Sequence, residues 1–447
     1  MTNDEATLNI LDDLLIKVRT KGADAADAIH IKSQSLAVTQ RLGKPEKLER
    51  SENSDIGLRV FFGKRQAIVS SSDSSPEALK ELIDRVISMA RVVPEDPYCG
   101  LAEKDQLATK IIDVDSYDPS EPTTETLVDW ANRAEDAARA IPGITNSEGA
   151  EAGWGKAIVS MAATNGFSKV YSGSHYSLSA SVLAGEGVEM ERDYDYTGAV
   201  YANDIISPEE IGRSAGNKAI KRLNPKKAQT SQVPVIYDPR VSRGIVGHLL
   251  SAINGSAIAR NTSFLRDKMN KQVFENKISI YDDPHRQRGL RSQPFDGEGI
   301  ANEKRKIIDN GRLTTWILDL RSARQLGLKT TGHASRGTSS PPSPSATNVY
   351  LEPSNISPSE IMSDIKNGLY ITELIGMGIN SLTGDYSRGA AGYWIENGEI
   401  THPVSEVTVA GNLKDMFRNL TTANDLEYRY GIDAPTLRID GMTLAGK

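Results

Sequence analysis

The chain has 447 residues, of which 38% are hydrophobic and 25% charged, and its formal net charge is −7. This length predicts two or three domains, and the acidic charge argues against a nucleic-acid binder, whose phosphate contacts need clustered Lys and Arg. Cys99 is the only cysteine, which excludes an intrachain disulfide and a cysteine-based zinc cluster and is typical of a reducing compartment.

The N-terminal segment predicts an amphipathic helix with Leu8, Leu11, Leu15 and Val18 on one face. It lacks the basic start and the continuous apolar core of a signal peptide. No run in the chain approaches the roughly 18 apolar residues of a membrane span. We therefore expect a cytoplasmic protein that makes no contact with a membrane.

Residues 1–110 are predicted to form a first α+β module. Its β-hairpins include one that turns at Gly63, where glycine can adopt a positive φ. A helix follows from Pro76 to Arg91, with Ser75 as its N-cap, and ends before two prolines.

Residues 111–228 are predicted to form a second module with the same order of helix, strands and helix. The first helix runs from about Thr124 to Ala140, a strand turn lies at Asn165-Gly166, and Ser207 caps the last helix. Acidic residues alternate between Glu186 and Asp195, which is typical of a solvated strand face. Basic residues cluster at the end of the last helix, and we interpret them as a solvated helix end: Lys218, Lys221, Arg222, Lys226 and Lys227.

Residues 229–447 are predicted to form a β-rich domain around one central helix. An apolar run from Val233 to Tyr237 leads into that helix, with Asp238 as N-cap and Pro239 at the first helical position. Asn-Gly pairs at 310–311 and 397–398 predict tight hairpins. The expected fold class is thus α+β, with N-terminal helix and β-hairpin modules followed by a mostly antiparallel β domain. The stretch His333–Asn348 is too rich in Ser, Pro and Gly for regular structure and is either functional or a tether.

Two stretches of this last region carry the candidate functional residues. The central helix contains RGIVGH, residues 243–248, in which Arg243 could hold a substrate carboxylate or a structural one. His248 is either a hydrogen-bonded core histidine or part of a groove or interface. The second stretch, TGDYSRGAAGYWIENGEI (383–400), is either a peptide-binding rim or a tight hairpin, and it lacks the spacing of a phosphate loop. Its candidate groove or interface residues are Asp385, Tyr386, Ser387, Arg388 and Gly389.

Together with GHASRGTSSPPSPS, PVSEVTVAGNLKDM and APTLRIDGMTLAG, these stretches resemble the PmbA/TldD family, and specifically its PmbA (TldE) branch. In the TldD branch the segment resembling RGIVGH reads HEAVGH, a zinc-peptidase motif. The resemblance places Arg243 where the first zinc-binding His would be and Gly244 where the Glu would be, so that only His248 remains. The C-terminal Cys that supplies a further ligand in TldD is also missing. We therefore expect no catalytic residue and no metal in this chain, although a zinc site built from distant residues stays open.

The resemblance implies a partnership. TldD-type chains carry the zinc, and the two chain types form a heterodimeric protease that degrades unfolded peptides, including bacteriocin precursors and antitoxins. The expected role is a non-catalytic subunit of that cytoplasmic protease, with self-association possible when the chain is alone. An alternative is a regulatory protein that binds DNA gyrase or an antitoxin without proteolysis, since the family is also labelled a modulator of DNA gyrase. An independent homodimeric enzyme conflicts with the missing ligands.

Overall fold

The computed structural model describes the backbone of residues 3–447 and the side chains of residues 5–447. Nine α-helices lie in this range: α1 Asn3–Thr20, α2 Pro76–Val92, α3 Thr124–Arg139, α4 Pro208–Lys221, α5 Pro239–Ala252, α6 Gly255–Ala259, α7 Leu320–Leu326, α8 Pro358–Met362 and α9 Leu413–Arg418. The strands are β1 Ala25–Arg41, β2 Lys44–Phe62, β3 Arg65–Ser71, β4 Ile144–Ala163, β5 Ser168–Ala184, β6 Glu191–Ala199, β7 Ser231–Tyr237, β8 Ile280–Asp282, β9 Arg305–Asp309, β10 Arg312–Leu313, β11 Ala334–Ser335, β12 Ser343–Pro344, β13 Val349–Leu351, β14 Asn367–Ile375, β15 Asp385–Glu396, β16 Glu399–Asn412, β17 Leu420–Thr422, β18 Ile432–Asp433 and β19 Leu437–Ala445.

The N-terminal half is built on one six-stranded antiparallel sheet in the order β3-β2-β1-β4-β5-β6. Strands β1 and β4 pair from Asp27 to Gln40, so both predicted modules contribute to the same sheet. Helices α1 and α2 cover one end of one face, and α3 and α4 cover the other end. The opposite face packs against Phe295 of the C-terminal part. The sheet is therefore covered by helices on one face and in part by the C-terminal region on the other, while the first half of β2 stays exposed.

The C-terminal half is organised around a second six-stranded sheet in the order β16-β15-β14-β7-β19-β17. Strand β16 also pairs with β19, which closes five of these strands into a ring. All pairings in it are antiparallel except that of β7 with β14. Strand β7 is largely buried within this sheet and leads directly into α5.

The predicted α+β class and its mostly antiparallel sheets are confirmed. The N-caps Ser75, Ser207 and Asp238 form as predicted, and both Asn-Gly pairs turn hairpins with positive φ at each position. The domain boundaries 1–110, 111–228 and 229–447 stay predictions. No helix within residues 3–447 combines the length and the apolar character that a membrane crossing requires.

Strand β4 begins at Ile144, although its first half is rich in Gly and Ala, and it pairs with β5 from Ile144 and with β1 from Ala150. Helix α7 is capped by Asp319, and its apolar side is buried. One local prediction was wrong. The stretch 333–348 contains the short β11–β12 ladder rather than irregular chain alone.

Candidate functional site

Helix α5 is fixed at its start by hydrogen bonds and along its length by the core. The Asp238 carboxylate accepts from the Arg240 backbone N–H at 3.0 Å and from the Tyr370 hydroxyl at 2.9 Å. Ile245, Val246 and Leu249 are buried in the C-terminal core. The other side of the helix therefore carries the polar residues of RGIVGH in a defined position.

A cleft of about 440 Å³ opens beside this polar side of α5. We call it the arginine cleft because four guanidinium groups line it, from Arg192, Arg240, Arg243 and Arg388. Gly244, Glu373 and apolar residues complete the walls. The cleft thus joins two stretches that are far apart in sequence, RGIVGH and the 383–400 segment. Two further cavities, of about 280 and 560 Å³, adjoin it and share Arg240.

Arg243, Gly244 and His248, the three positions that resemble the TldD zinc motif, have different environments. The Arg243 guanidinium lies 4.3 Å from the centroid of the Tyr430 ring, and its Nε donates to the Arg240 carbonyl at 3.2 Å. A Cβ added at Gly244 would meet no heavy atom within 4 Å, so this position faces open space. The His248 ring contacts the Tyr386 ring edge-on, with centroids 5.8 Å apart. Burial and then the positive charge of Arg388 lower the pKa of His248 to about 4, which keeps the imidazole neutral.

Strand β15 separates the candidate residues of the second stretch, because alternate side chains point to opposite faces. Arg388 lines the cleft, and Tyr386 is buried against His248. Asp385 is exposed and accepts hydrogen bonds from the side chains of Thr383 and Asn412. The remaining two, Ser387 and Gly389, lie in β15 and do not line the cleft. Only Tyr386 and Arg388 of the five therefore join the RGIVGH residues.

The acidic run predicted to be solvated is buried at Asp193 and Asp195, which corrects that interpretation in part, whereas Glu186 and Glu189 are exposed. Asp193 is 1% exposed and forms a two-point ion pair with Arg240 at 2.7 and 3.1 Å. Asp195 is 7% exposed and pairs with Lys218 at 2.9 Å. The C-terminal part packs against β6 and α4 here, so these carboxylates join the two halves of the molecule.

The predicted solvated helix end is wrong in part for the same reason. The Arg222 side chain is only 12% exposed and pairs with Glu373 of β14 and with Asp193. Burial lowers the pKa of Arg222, and the carboxylates of Glu373, Asp193 and Glu191 more than offset this, so that its pKa is raised. Sequence analysis did not identify Arg192, Arg240 or Glu373 as cleft residues. For Arg192, the alternation of charges along β6 was the available signal.

Comparison with known proteins gives a consistent result along the chain. Residues 26–90 match domain 1 of the PmbA/TldA metallopeptidases, residues 117–223 match their central domain, and residues 230–446 match their C-terminal domain. The chain is 37% identical to Metalloprotease PmbA of Escherichia coli O157:H7, over 99% of this chain and 98% of that protein. The chain belongs to the PmbA/TldD family. A Metalloprotease PmbA homolog of Haemophilus influenzae is 35% identical over 96% of this chain and 94% of the relative.

Solved structures of similar proteins share the fold over the full length. A candidate modulator of DNA gyrase from Bacteroides thetaiotaomicron superimposes with a TM-score of 0.92 and 26% identity, covering all of both chains. TldE from Thermococcus kodakarensis superimposes with a TM-score of 0.87 and 20% identity, over 98% of this chain and 100% of that one. This second likeness concerns the fold alone.

The PmbA/TldD family has metallopeptidase domains, so we asked whether these residues fit a zinc ion. A protein zinc site needs at least three ligands, from His, Cys, Asp or Glu. Within the described part of the chain, no three such residues are grouped in a way that could hold a metal. His248 faces Tyr386, and the nearby Arg243 and Arg388 carry fixed positive charges. The residues around α5 therefore do not fit a divalent cation.

Proposed function

We propose that this chain is the metal-free, TldE-type subunit of a cytoplasmic heterodimeric zinc metalloprotease that degrades or processes unfolded peptides. In this proposal a TldD-like partner carries the zinc and the catalytic residues. The present chain contributes an interface and one wall of the substrate chamber.

The observation that carries this proposal is the environment of α5. The helix lies in a full-length PmbA/TldD fold, yet it presents Arg243 and Gly244 to a cleft where the TldD motif has a zinc-binding His and a Glu. Arginine stays charged at all physiological pH values and opposes cation binding. A wall that only restricts access to an enclosed site needs no metal, because folded proteins are excluded by size.

Zinc content and peptide cleavage, measured on the same sample, test the proposal. We expect the chain purified alone to contain less than stoichiometric zinc and to cleave no unfolded peptide. Adding a TldD-type chain should produce a complex that holds zinc and cleaves the peptide. Tight zinc binding with cleavage by the isolated chain would contradict the proposal.

Co-purification separates this role from a regulatory one. The proposal predicts that a TldD-like chain is recovered with this protein. Recovery of DNA gyrase or an antitoxin, without such a chain and without cleavage, would favour a non-proteolytic binding protein instead.

A further inference from the structure

The arginine cleft carries more positive charge than its surroundings neutralise. Arg240 is paired with Asp193, and Arg192 lies 3.5 Å from Glu148 and 3.7 Å from Glu373. Within residues 5–447, no carboxylate lies within ion-pairing distance of Arg243 or Arg388. Among residues 5–447, Glu373 is the one acidic residue in the lining, and Arg222 and Arg192 already pair with it. Two guanidinium groups of the cleft therefore have no counterion in the described part of the chain.

Both of these arginines are held in place without using their full hydrogen-bonding capacity. Arg243 stacks on Tyr430 and donates only its Nε, to the Arg240 carbonyl, among the described residues. Arg388 donates Nη2 to the Leu374 carbonyl at 3.3 Å, while its Nε is enclosed and has no hydrogen-bond partner in the described chain. A stacked or anchored guanidinium loses little conformational freedom when it binds an anion. Among the described residues, both Nη groups of Arg243 and Nη1 of Arg388 have no hydrogen-bond partner and are the donors offered to a ligand, whereas the enclosed Nε of Arg388 is not.

The rest of the cleft fits an anionic group on an organic chain. Gly244 leaves open space on the helix side, and Val241, Leu374 and Ile432 supply apolar surface next to the arginines. Guanidinium groups bind planar carboxylates through two parallel hydrogen bonds, which adds geometric specificity. His248 beside Arg388 is neutral, so the positive charge in this part of the cleft comes from the arginines.

From this arrangement we propose that Arg243 and Arg388 form a carboxylate-binding site that holds the C-terminal carboxylate, or an acidic side chain, of a peptide in the arginine cleft. This inference deepens the proposed function, because it names the chemical group by which this subunit recognises a peptide. Gly244 is the open position that admits the ligand.

Direct binding to the isolated full-length chain tests the site without requiring proteolysis. An unstructured peptide with an N-terminal fluorophore is compared in three forms: free C-terminus, amidated C-terminus without acidic residues, and amidated C-terminus with one internal Glu. We expect the free acid to bind at least about 10-fold more tightly than the neutral amide, because the amide has no carboxylate that could accept charge-assisted hydrogen bonds from the arginines. Tight binding of the Glu-containing amide would identify an acidic side chain as the ligand. Equal binding of the free acid and the neutral amide, or displacement only by inorganic phosphate, would overturn the assignment.

Substitutions locate the site in the cleft. Arg243→Gln and Arg388→Gln should each weaken binding of the free acid about 10-fold or more, while Arg85→Gln on the exposed surface of α2 should not. Gly244→Glu provides a test that keeps both arginines, because it places a carboxylate in the open space and should abolish the preference for the free acid. Gly247→Glu is its matched control, since Gly247 also has nothing within 4 Å of its Cβ but does not line the cleft. If Gly244→Glu and Gly247→Glu behave alike, the inference is wrong.

The two proposals fail in different ways. If the isolated chain prefers free acids but no TldD-type chain ever supports cleavage, the binding site stands and the protease role falls. If the complex cleaves acid and amide peptides equally, with Arg243→Gln and Arg388→Gln unchanged, the protease role stands and the carboxylate site falls.

Discussion

Arginine side chains cluster in two regions of this molecule, and the two clusters differ in their burial and in their carboxylate partners. Beneath the 333–348 stretch, Asp27 lies between Arg59 and Arg336, and all three side chains are at most 7% exposed. Asp27 accepts from the Arg59 Nε at 3.1 Å and lies 2.7 Å from the Arg336 Nη2. In the arginine cleft, Arg243 and Arg388 are only half-buried and have no carboxylate partner among the described residues.

The access of each guanidinium group to water explains this difference in carboxylate partners. A charge removed from water requires a partner, because desolvation costs several kcal/mol per ion. Burial raises the pKa of Asp27, and Arg336 and Arg59 more than offset this, so that its pKa lies below the ordinary value. At the cleft, water solvates the guanidinium groups until a ligand replaces it. We infer that paired arginines stabilise the fold here, whereas the unpaired ones are kept for binding.

The largest expected effect on stability is at Asp27, which pairs with Arg59 and Arg336. Asp27→Asn should lower the free energy of unfolding by about 3–5 kcal/mol, because two buried guanidinium groups would lose the carboxylate that both of them contact. Urea titration measures the change. The control is Asp13→Asn, whose partner Lys17 is solvent-exposed and whose loss should cost at most about 1 kcal/mol. If Asp27→Asn and Asp13→Asn lower the free energy of unfolding by similar amounts, the buried ion pairs do not stabilise the fold as inferred.

A smaller effect should follow from His248 as the pH falls. Its folded-state pKa of about 4 lies below the ordinary value of 6.5, so the unfolded chain takes up a proton first. The stabilisation is complete above pH 6.5 and is lost as the pH falls towards 4, by at most about 3 kcal/mol. Urea titrations between pH 7 and 4.5 should show this loss, and His248→Gln should reduce it. If Arg388 is unneutralised, Arg388→Gln should raise the pKa of His248 in an NMR titration, and an unchanged value would contradict this.

Gly244→Ala should increase the free energy of unfolding by about 0.5–1 kcal/mol, because alanine favours a helix interior over glycine. Nothing lies within 4 Å of the new Cβ, so no clash offsets the gain. Gly247→Ala should stabilise the protein equally, and thermal unfolding compares the two. A loss of stability only at Gly244 would show that the cleft is more tightly filled than described.

The smallest expected effect on stability is at the cleft arginines. Arg388→Gln should change the free energy of unfolding by less than about 1 kcal/mol, since no ion pair is broken. The same urea titration that tests Asp27→Asn measures it. A loss as large as that of Asp27→Asn would mean that Arg388 is structural, which would remove the distinction between the two regions.

Local sequence rules identified most of the helices, strands and turns, but few of the residues that pack against each of them. Caps and turns such as Ser75, Asp238 and Asn397-Gly398 form as predicted, because their conformations depend on neighbouring residues. The burial of Asp193 was missed, because the residues that bury it come from another part of the chain.

The sequence by itself determined the α+β class and the start of α5, because these depend on residue type, spacing and short-range hydrogen bonds. That Arg243 and Gly244 stand where the TldD motif has His and Glu is implied only by the resemblance to the family and stays a prediction. Only the tertiary structure decided that Arg243 and Arg388 share one cleft. It also decided that carboxylates neutralise Arg240 and Arg222, whereas Arg243 and Arg388 have no carboxylate partner among the described residues. Whether a charge is compensated depends on atoms brought together from distant positions by the packing of β6, α5 and β15, which local sequence patterns do not encode.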